Sequence, residues 1–173
     1  DPLQCRVVLR EGGIGFVEEP ERARGACMTR NTLRLSGRRL SPAGPVMTCP
    51  QTLAYAFWMR HAVQPAARAE LGEPVDRVEH YGSFACRNVY GRATGARSEH
   101  ASANALDVAA FRTVSGRRVS VLKDFDDAGA RGRFLRRARD GACPWFSAVL
   151  SPDYNAAHRD HLHLDRGRFK ACR

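Results

Sequence analysis

The chain has 173 residues, of which 43% are hydrophobic, and a formal net charge of +10. This length predicts one domain that buries about two-thirds of the surface of its unfolded chain. No apolar run approaches the roughly 18 residues that suggest a membrane span. A basic surface favours a polyanionic partner, but the arginines are scattered and few aromatic residues lie among them. The charge by itself therefore selects no nucleic-acid-binding function.

Six cysteines are spread over the whole chain: Cys5, Cys27, Cys49, Cys86, Cys143 and Cys172. No two of them form a CxxC pair, which argues against a zinc site built from thiols. An even number of widely spaced cysteines predicts disulfides and an oxidising compartment, so we expect a periplasmic or secreted protein. The sequence does not choose among the possible pairings.

Residues 1–49 are rich in glycine, proline and arginine and carry three of the cysteines. They have too few apolar residues for an independent domain, so we predict an irregular wrap that disulfides pin to the core. Within it we expect short strands at 7–9 and 33–35, with a turn at 12–15.

A helix is predicted from Pro50 to about Leu71. Proline suits the first helical position, apolar residues follow at helical spacing, and Gly72 marks the end. Pro65 should kink the helix or split it. His61 lies on this helix and is predicted to be a surface or packing residue.

The rest of the chain mixes strands and helices. We predict a helix at 134–139, a turn at 152–155 and strands at 75–82, 105–111, 117–122, 145–150 and 161–165, with a hairpin turn at Ser115-Gly116. His80 is predicted to be a partly buried strand histidine. This mixed order indicates an α+β fold, a small antiparallel sheet flanked by helices.

The last predicted strand carries a dense group of ionisable residues in the stretch 158–165, HRDHLHLD. Polar and apolar residues alternate there with period two, as in a half-buried strand. His161, His163 and Asp165 should therefore share one face, while the two leucines enter the core.

A second cluster lies upstream in the stretch 98–107, SEHASANALD. Asp107 opens an apolar run, so it must be paired, hydrogen-bonded or metal-bound. Together the two clusters predict a zinc site of His100, Asp107 and His163, with a fourth position for water. The alternatives are that the histidines bind acidic partners, or that Asp107 is a buried salt-bridge partner of an arginine.

A zinc hydrolase also needs a group that accepts the proton of the water and passes it to the leaving amine. Asp160, His161 and His158 are the available residues. His161 shares the strand face of His163, and Asp160 precedes the strand, where a turn can carry it back over the metal.

The stretch 98–107 resembles the SxHxxGxAxD motif of the LAS metallopeptidases, which include zinc D-Ala-D-Ala carboxypeptidases and penicillin-insensitive murein endopeptidases. The stretch 158–163, HRDHLH, resembles the HxxHxH motif of the latter. Residues 49–165 are similar to the bacterial extensin-like C-terminal domain family, through the stretches 80–87, 98–107 and 150–165. The chain differs at the glycine of SxHxxGxAxD, where Ala103 or Asn104 stands.

The resemblance implies a small antiparallel sheet flanked by helices, with zinc held by His100, Asp107 and His163. It implies that Asp160 is the base and that His161 stabilises the oxyanion or assists proton transfer. Arg87 would grip a substrate carboxylate. Ser83 and Tyr81, on the same stretch, would also contact substrate.

The expected function is that of a zinc-dependent peptidase, with residues 50–173 as the peptidase domain. It would act on peptidoglycan stem peptides in the bacterial cell envelope, as a D,D-carboxypeptidase or a cross-link endopeptidase. The alternative is a non-catalytic, zinc-containing module of the same fold that binds or senses the cell wall. The presence of both Asp160 and His161 favours the enzyme. No nucleic-acid partner is expected.

Overall fold

The computed structural model describes residues 2–173 and has a mixed α+β architecture, as the sequence predicts. The helices are α1 (Pro2–Glu11), α2 (Cys49–Trp58), α3 (Gln64–Leu71), α4 (Val121–Asp124) and α5 (Ala130–Asp140). The strands are β1 (Phe16–Glu19), β2 (Arg22–Arg24), β3 (Cys27–Thr29), β4 (Thr32–Leu35), β5 (Leu40–Ser41), β6 (Val46–Thr48), β7 (Val75–Gly82), β8 (Ala105–Thr113), β9 (Arg118–Ser120), β10 (Ala148–Leu150), β11 (Leu162–Asp165) and β12 (Ala171–Cys172). No helix between residues 2 and 173 has the length and apolar character needed to cross a membrane.

The largest sheet has seven strands in the order β12-β10-β11-β8-β7-β5, with β9 paired to β8. Its pairings are antiparallel except those of β5 with β7 and of β10 with β12. Strand β8 is central, and every one of its residues is buried except Asp107 and Arg112, which are half-buried. A carboxylate therefore lies in the middle of an apolar strand.

The main core covers one face of this sheet. The buried Trp58 of α2 stands edge-on to Phe111, with ring centroids 6.0 Å apart, and its Nε1–H donates to the Ala138 carbonyl of α5 at 2.8 Å. Leu162 and Leu164 of β11 are fully buried in the same core. The residues that alternate with these leucines consequently lie on the opposite face of the sheet.

The predicted helix over 50–71 is confirmed, and its irregularity is a π-helical turn. Thr48 caps the start by accepting the Gln51 N–H at 3.3 Å, and Gly72 ends it with φ of 77°. Residues Met59–Val63 form the π turn immediately before Pro65. Because proline lacks an N–H and its ring crowds the preceding turn, a wider turn accommodates it without a break.

The N-terminal segment is more regular than predicted. The expected strand at 7–9 is wrong, since these residues lie in helix α1, where Cys5 and Leu9 pack one turn apart against Leu33 and Cys49. The expected strand at 33–35 is confirmed as part of β4. Strands β1, β4 and β6 form a small sheet, β2 and β3 form a hairpin, and β5 joins the large sheet. The division of the chain at residue 49 stays a prediction.

Several later elements differ in extent from their predictions, among them helix α5 (Ala130–Asp140 rather than 134–139) and strand β8, which runs to Thr113. Strand β9 is shorter than 117–122, because helix α4 begins at Val121. Strand β10 covers 148–150 rather than 145–150. The strand at 162–165 is not the last, since β12 follows it and pairs with β10. Local patterns locate such elements, but tertiary pairing sets where they end.

All six cysteines form disulfides, which confirms the prediction from their number and spacing. The pairs are Cys5–Cys49, Cys27–Cys86 and Cys143–Cys172. The first joins α1 to the start of α2. The second joins the β2–β3 hairpin to the segment after β7. Disulfides of this kind fit an extracellular or periplasmic protein.

Replacing Cys86 by serine is expected to lower the free energy of unfolding by about 4 kcal/mol. The reason is that the Cys27–Cys86 disulfide spans 59 residues and restricts the unfolded chain accordingly. Urea unfolding of the variant and the parent protein measures the difference. Mass spectrometry of unreduced peptides provides the direct check, and a free Cys86 thiol in the parent protein would contradict this pairing.

Candidate metal centre

The register of two neighbouring strands brings the predicted ligands together. Strand β11 pairs antiparallel with β8 so that His163 lies directly opposite Asp107. Side chains of directly opposed residues project from the same face of a sheet, here the face opposite the main core. His100 comes from a short 3₁₀ helix, Glu99–Ser102, and is only 3% exposed.

Three side-chain atoms converge at this point. The Asp107 Oδ1 atom lies 2.8 Å from His163 Nδ1 and 3.1 Å from His100 Nε2, and the two nitrogens are 3.2 Å apart. Ligands at about 2.0–2.1 Å from a tetrahedral zinc are separated by about 3.3 Å. The His100, Asp107 and His163 group can therefore hold a metal ion, and the distances fit three corners of a tetrahedron.

The outer nitrogen of each histidine has its own acceptor. His100 donates from Nδ1 to the Ser83 carbonyl at 3.3 Å, and His163 donates from Nε2 to Asp165 at 2.9 Å. Each bond orients the ring and leaves its other nitrogen available to a metal ion held together with Asp107, as acceptors behind metal-bound histidines do. Asp165 is itself held by the Gly167 N–H at 2.8 Å. The sequence placed Asp165 on this face but assigned it no role.

The charges of the cluster are strongly coupled. Burial raises the pKa of Asp107, but hydrogen bonds from His100 and His163 outweigh it and hold that pKa well below its usual range. Burial likewise lowers the pKa of His163, while its bonds to Asp107 and Asp165 raise it to about 9. In the metal-free protein a proton on His163 thus takes the place of a cation between two carboxylates.

This coupling predicts that the metal-free protein loses stability at alkaline pH. The folded pKa of His163, about 9, exceeds the unfolded value of about 6.5. The contribution is therefore complete below about pH 6.5 and is lost as pH rises to about 9. We expect the free energy of unfolding of chelator-treated protein to fall by about 3 kcal/mol over this range, measured by urea unfolding. The His163→Gln variant is the control, and an equal fall in that variant would contradict the assignment.

A second ionisable pair lies beside the three ligands. His161 donates from Nδ1 to Asp160 Oδ1 at 2.8 Å, and its Nε2 lies 3.7 Å from Asp107 Oδ1. Burial raises the pKa of Asp160, but the bond from His161 lowers it below its usual range. His161 thus turns its Nε2 towards the cluster, with a carboxylate behind its ring.

His158 completes this side of the site. Its ring centroid is 5.2 Å from that of His161 and 5.9 Å from that of His163. It donates from Nδ1 to Asn155 Oδ1 at 2.7 Å. Burial and the two neighbouring histidines lower the pKa of His158 to about 4, so it is neutral at pH 7. Asn155 was not singled out in the sequence, since an asparagine in a turn gives no separate signal.

The three residues expected to bind substrate have different surroundings. Tyr81 is 61% exposed, and its ring lies 5.9 Å from that of His161. Ser83 is 5% exposed, its hydroxyl donates to the Val46 carbonyl at 2.7 Å and its own carbonyl accepts from His100 at 3.3 Å, and its role in substrate binding stays a prediction. Arg87 donates to the Asn88 carbonyl at 3.4 Å. Within residues 2–173, no hydrogen bond or ion pair joins Arg87 to the cluster, and its role stays a prediction.

The glycine position of the SxHxxGxAxD motif is filled by Ala103. Ala103 is fully buried and has φ of 58°, the left-handed conformation that favours glycine. Its N–H donates to the His100 carbonyl at 3.1 Å and closes the short helix that carries the ligand. The chain therefore keeps the backbone conformation typical of glycine there.

The other two histidines lie outside the cluster, as predicted. His61 stacks on Trp145 with ring centroids 5.8 Å apart. His80 is a buried strand residue whose Nε2 donates to the Pro42 carbonyl at 2.7 Å.

The fold and the site define an α+β protein with a His/Asp/His group suited to a metal ion. A model of the family described as extensin-like protein C-terminus matches residues 3–173. The chain belongs to this family over almost its whole length. No curated protein and no solved structure matches it.

Proposed function

We propose that this protein is a zinc-dependent peptidoglycan peptidase of the LAS superfamily. The observation that carries the proposal is that a possible metal-binding group and a carboxylate-histidine pair lie side by side. Three possible ligand atoms lie within 3.2 Å of one another, a group that could hold a metal ion. A carboxylate-histidine pair presents a nitrogen 3.7 Å from one of them. Ligands together with an adjacent base are what hydrolysis requires.

Zinc held by His100, Asp107 and His163 would supply a Lewis acid that activates water at neutral pH. His161 is placed to take the proton at Nε2 and to pass it to the leaving amine. Asp160 orients that ring through Nδ1 and stabilises its protonated form. The resemblance made Asp160 the base, but His161 Nε2 lies 3.7 Å from Asp107 Oδ1 and Asp160 is bonded to the other nitrogen of that ring, so we assign proton transfer to His161 and positioning to Asp160.

His158 contributes a neutral ring. Since its Nδ1–H is bound to Asn155, its Nε2 carries a lone pair that can accept an N–H of a bound peptide. The low pKa of His158 keeps this acceptor uncharged at neutral pH, so that it does not repel the cation. We therefore assign His158 to substrate binding within the catalytic group.

The charge distribution supports an envelope location and a cell-wall substrate. Many arginines are paired, as where Glu70 contacts Arg133 and Arg137, each at 2.8 Å. The basic charge is thus dispersed rather than gathered into a nucleic-acid groove, and a dispersed basic surface suits an anionic wall. With three disulfides, we propose a periplasmic or secreted peptidase acting on stem peptides.

The test is digestion of purified sacculi. We expect the zinc-loaded protein to release muropeptides, detected by mass spectrometry, and the released bond distinguishes a D,D-carboxypeptidase from an endopeptidase. Chelator should stop release and added zinc should restore it. The matched control is His61→Ala, a histidine outside the cluster, which should retain full release. Zinc binding without release would support the non-catalytic wall-binding or sensing module, and release that resists chelator would overturn the metal mechanism.

A further inference from the structure

The loop of residues 86–98 leads directly into the metal cluster. It begins at the disulfide-bonded Cys86 and ends at Ser98, which caps the short helix that carries His100. Inside the loop, the Asn88 side chain donates to two backbone carbonyls at 2.9 and 3.1 Å. The loop is therefore held at both ends and across its middle.

Tyr90 lies in this loop in an unfavourable backbone conformation. It has φ of 55° and ψ of 21°, a left-handed conformation that is uncommon for a residue with a Cβ and that recurs at functional sites, where the surroundings hold it. Its side chain is 50% exposed, and its ring centroid lies 6.4 Å from that of His158. The His158 ring lies in turn 5.2 Å from that of His161. The loop thus brings a tyrosine to the edge of the proposed catalytic group.

A chain of hydrogen bonds joins Tyr90 to His158 through Asn155, and its direction is determined. The backbone N–H of Ala157 can only donate, and it lies 3.1 Å from Asn155 Oδ1, so this end of the amide is the oxygen. His158 Nδ1 lies 2.7 Å from the same oxygen and therefore carries a proton. The other end of the amide is the NH₂ group, which donates to the Tyr90 hydroxyl oxygen at 3.0 Å.

This direction leaves the Tyr90 hydroxyl proton for a ligand. Because the oxygen accepts from Asn155, the O–H points elsewhere, and within residues 2–173 it donates no hydrogen bond to the chain. The bond between Tyr90 and Asn155 is exposed, so a ligand can reach the hydroxyl. The far end of the chain is His158 Nε2, an acceptor. An uncharged donor and an uncharged acceptor suit the C=O and N–H groups of a peptide backbone, whereas a phosphate or carboxylate anion offers acceptors alone.

We propose that Tyr90 is a further substrate-binding residue, which donates its hydroxyl proton to a carbonyl oxygen of the bound peptide. The choice of a wall peptide as ligand rests on the proposed function. The bond from Asn155 and the braced loop hold the hydroxyl in position before the peptide arrives, which reduces the entropy lost on binding.

The test is calorimetric titration of chelator-treated protein with the stem pentapeptide L-alanyl-γ-D-glutamyl-meso-diaminopimelyl-D-alanyl-D-alanine, so that binding is measured without turnover. The Tyr90→Phe change removes the hydroxyl and keeps the ring. We expect it to raise Kd by about threefold to tenfold, as the loss of one hydrogen bond does. The matched control is Tyr154→Phe. The Tyr154 ring also lies near His158, at 5.6 Å, but its hydroxyl makes no hydrogen bond within residues 2–173, so Kd should be unchanged.

Steady-state kinetics of the zinc-loaded protein distinguish substrate contact from positioning. A contact made equally with substrate and transition state affects KM and not kcat, so Tyr90→Phe should raise KM by about the same factor as Kd. A fall in kcat at constant KM would mean that Tyr90 only positions Asn155 and His158, and it would overturn the contact. Equal Kd values for the parent and Tyr90→Phe proteins would also overturn it. Binding of the N-acetylglucosamine–N-acetylmuramic acid disaccharide with the same dependence on Tyr90 would overturn the peptide as the ligand.

The binding result is independent of turnover. Binding that depends on Tyr90 in a protein that leaves sacculi intact would remove the peptidase and retain the peptide contact. Digestion of sacculi by a protein whose Kd for the pentapeptide does not depend on Tyr90 would retain the peptidase and remove the contact.

Discussion

Replacing His163 by alanine is expected to remove the bound zinc and to abolish hydrolysis. The variant keeps only His100 and Asp107 of the three ligands, and two protein ligands do not make the three-ligand site that catalytic zinc requires. Metal content is measured by elemental analysis of dialysed protein, and activity by release of muropeptides from sacculi.

Two further variants test whether the loss of zinc is due to the loss of His163 as a ligand. The Asp165→Asn change leaves all three ligands but weakens the acceptor behind His163, so we expect zinc affinity to fall by about 10- to 100-fold. The His61→Ala variant changes a histidine that stacks on Trp145 and should bind zinc as the parent protein does. A His163→Ala protein with one zinc per chain would show that the metal is bound elsewhere.

Replacing His161 by alanine should separate metal binding from catalysis. We expect this variant to retain one zinc per chain while kcat falls by about 10²- to 10⁴-fold, the usual contribution of a general base. The reason is that His161 Nε2 lies beside the ligands without being one of them. Elemental analysis and initial rates on a muropeptide provide the two readouts.

The Asp160→Ala variant decides between the two assignments of the base. If Asp160 only positions His161 through the 2.8 Å bond, its removal should also retain zinc but cost less than the loss of His161. The pH dependence of kcat/KM in the Asp160→Ala variant should then still reflect the ionisation of His161. A larger loss for Asp160→Ala than for His161→Ala would restore Asp160 as the base that the sequence predicted.

Two of the residues that could hold a metal ion were predictable from the sequence because each has a local signal. Asp107 stands in an apolar run, where a carboxylate must have a partner. His163 alternates with buried leucines, which assigns it to the face of the sheet away from the main core. Neither signal depends on the rest of the chain, so tertiary contacts do not change what either one predicts.

The surroundings of the site depend on contacts between distant segments. Ser83 was expected to contact substrate because it lies on the same stretch as Arg87, and the structure adds that its hydroxyl donates to the carbonyl of Val46, 37 residues away. No local sequence pattern around residue 83 predicts that contact. The bond from His100 Nδ1 to the Ser83 carbonyl, which joins residues 17 positions apart, is a feature of the same kind.

The N-terminal segment shows how tertiary contacts override local preference. The β-branched Val7 and Val8 favour a strand, yet they lie in helix α1. The helix is stabilised by packing of Leu9 on Leu33 and by the Cys5–Cys49 disulfide. Tertiary burial and a covalent link outweigh differences in propensity, which are below about 1 kcal/mol per residue.

The sequence by itself determined the α+β class, the presence of disulfides and the identity of the residues that can hold a metal. Each of these follows from composition or from short-range periodicity. Only the tertiary structure decided which cysteines pair, that His163 lies opposite Asp107, and that His161 turns one ring nitrogen towards Asp107 and the other towards Asp160. These three features depend on strand register and on which distant segments pack together. Both are set by residues far apart in the sequence and leave no local pattern.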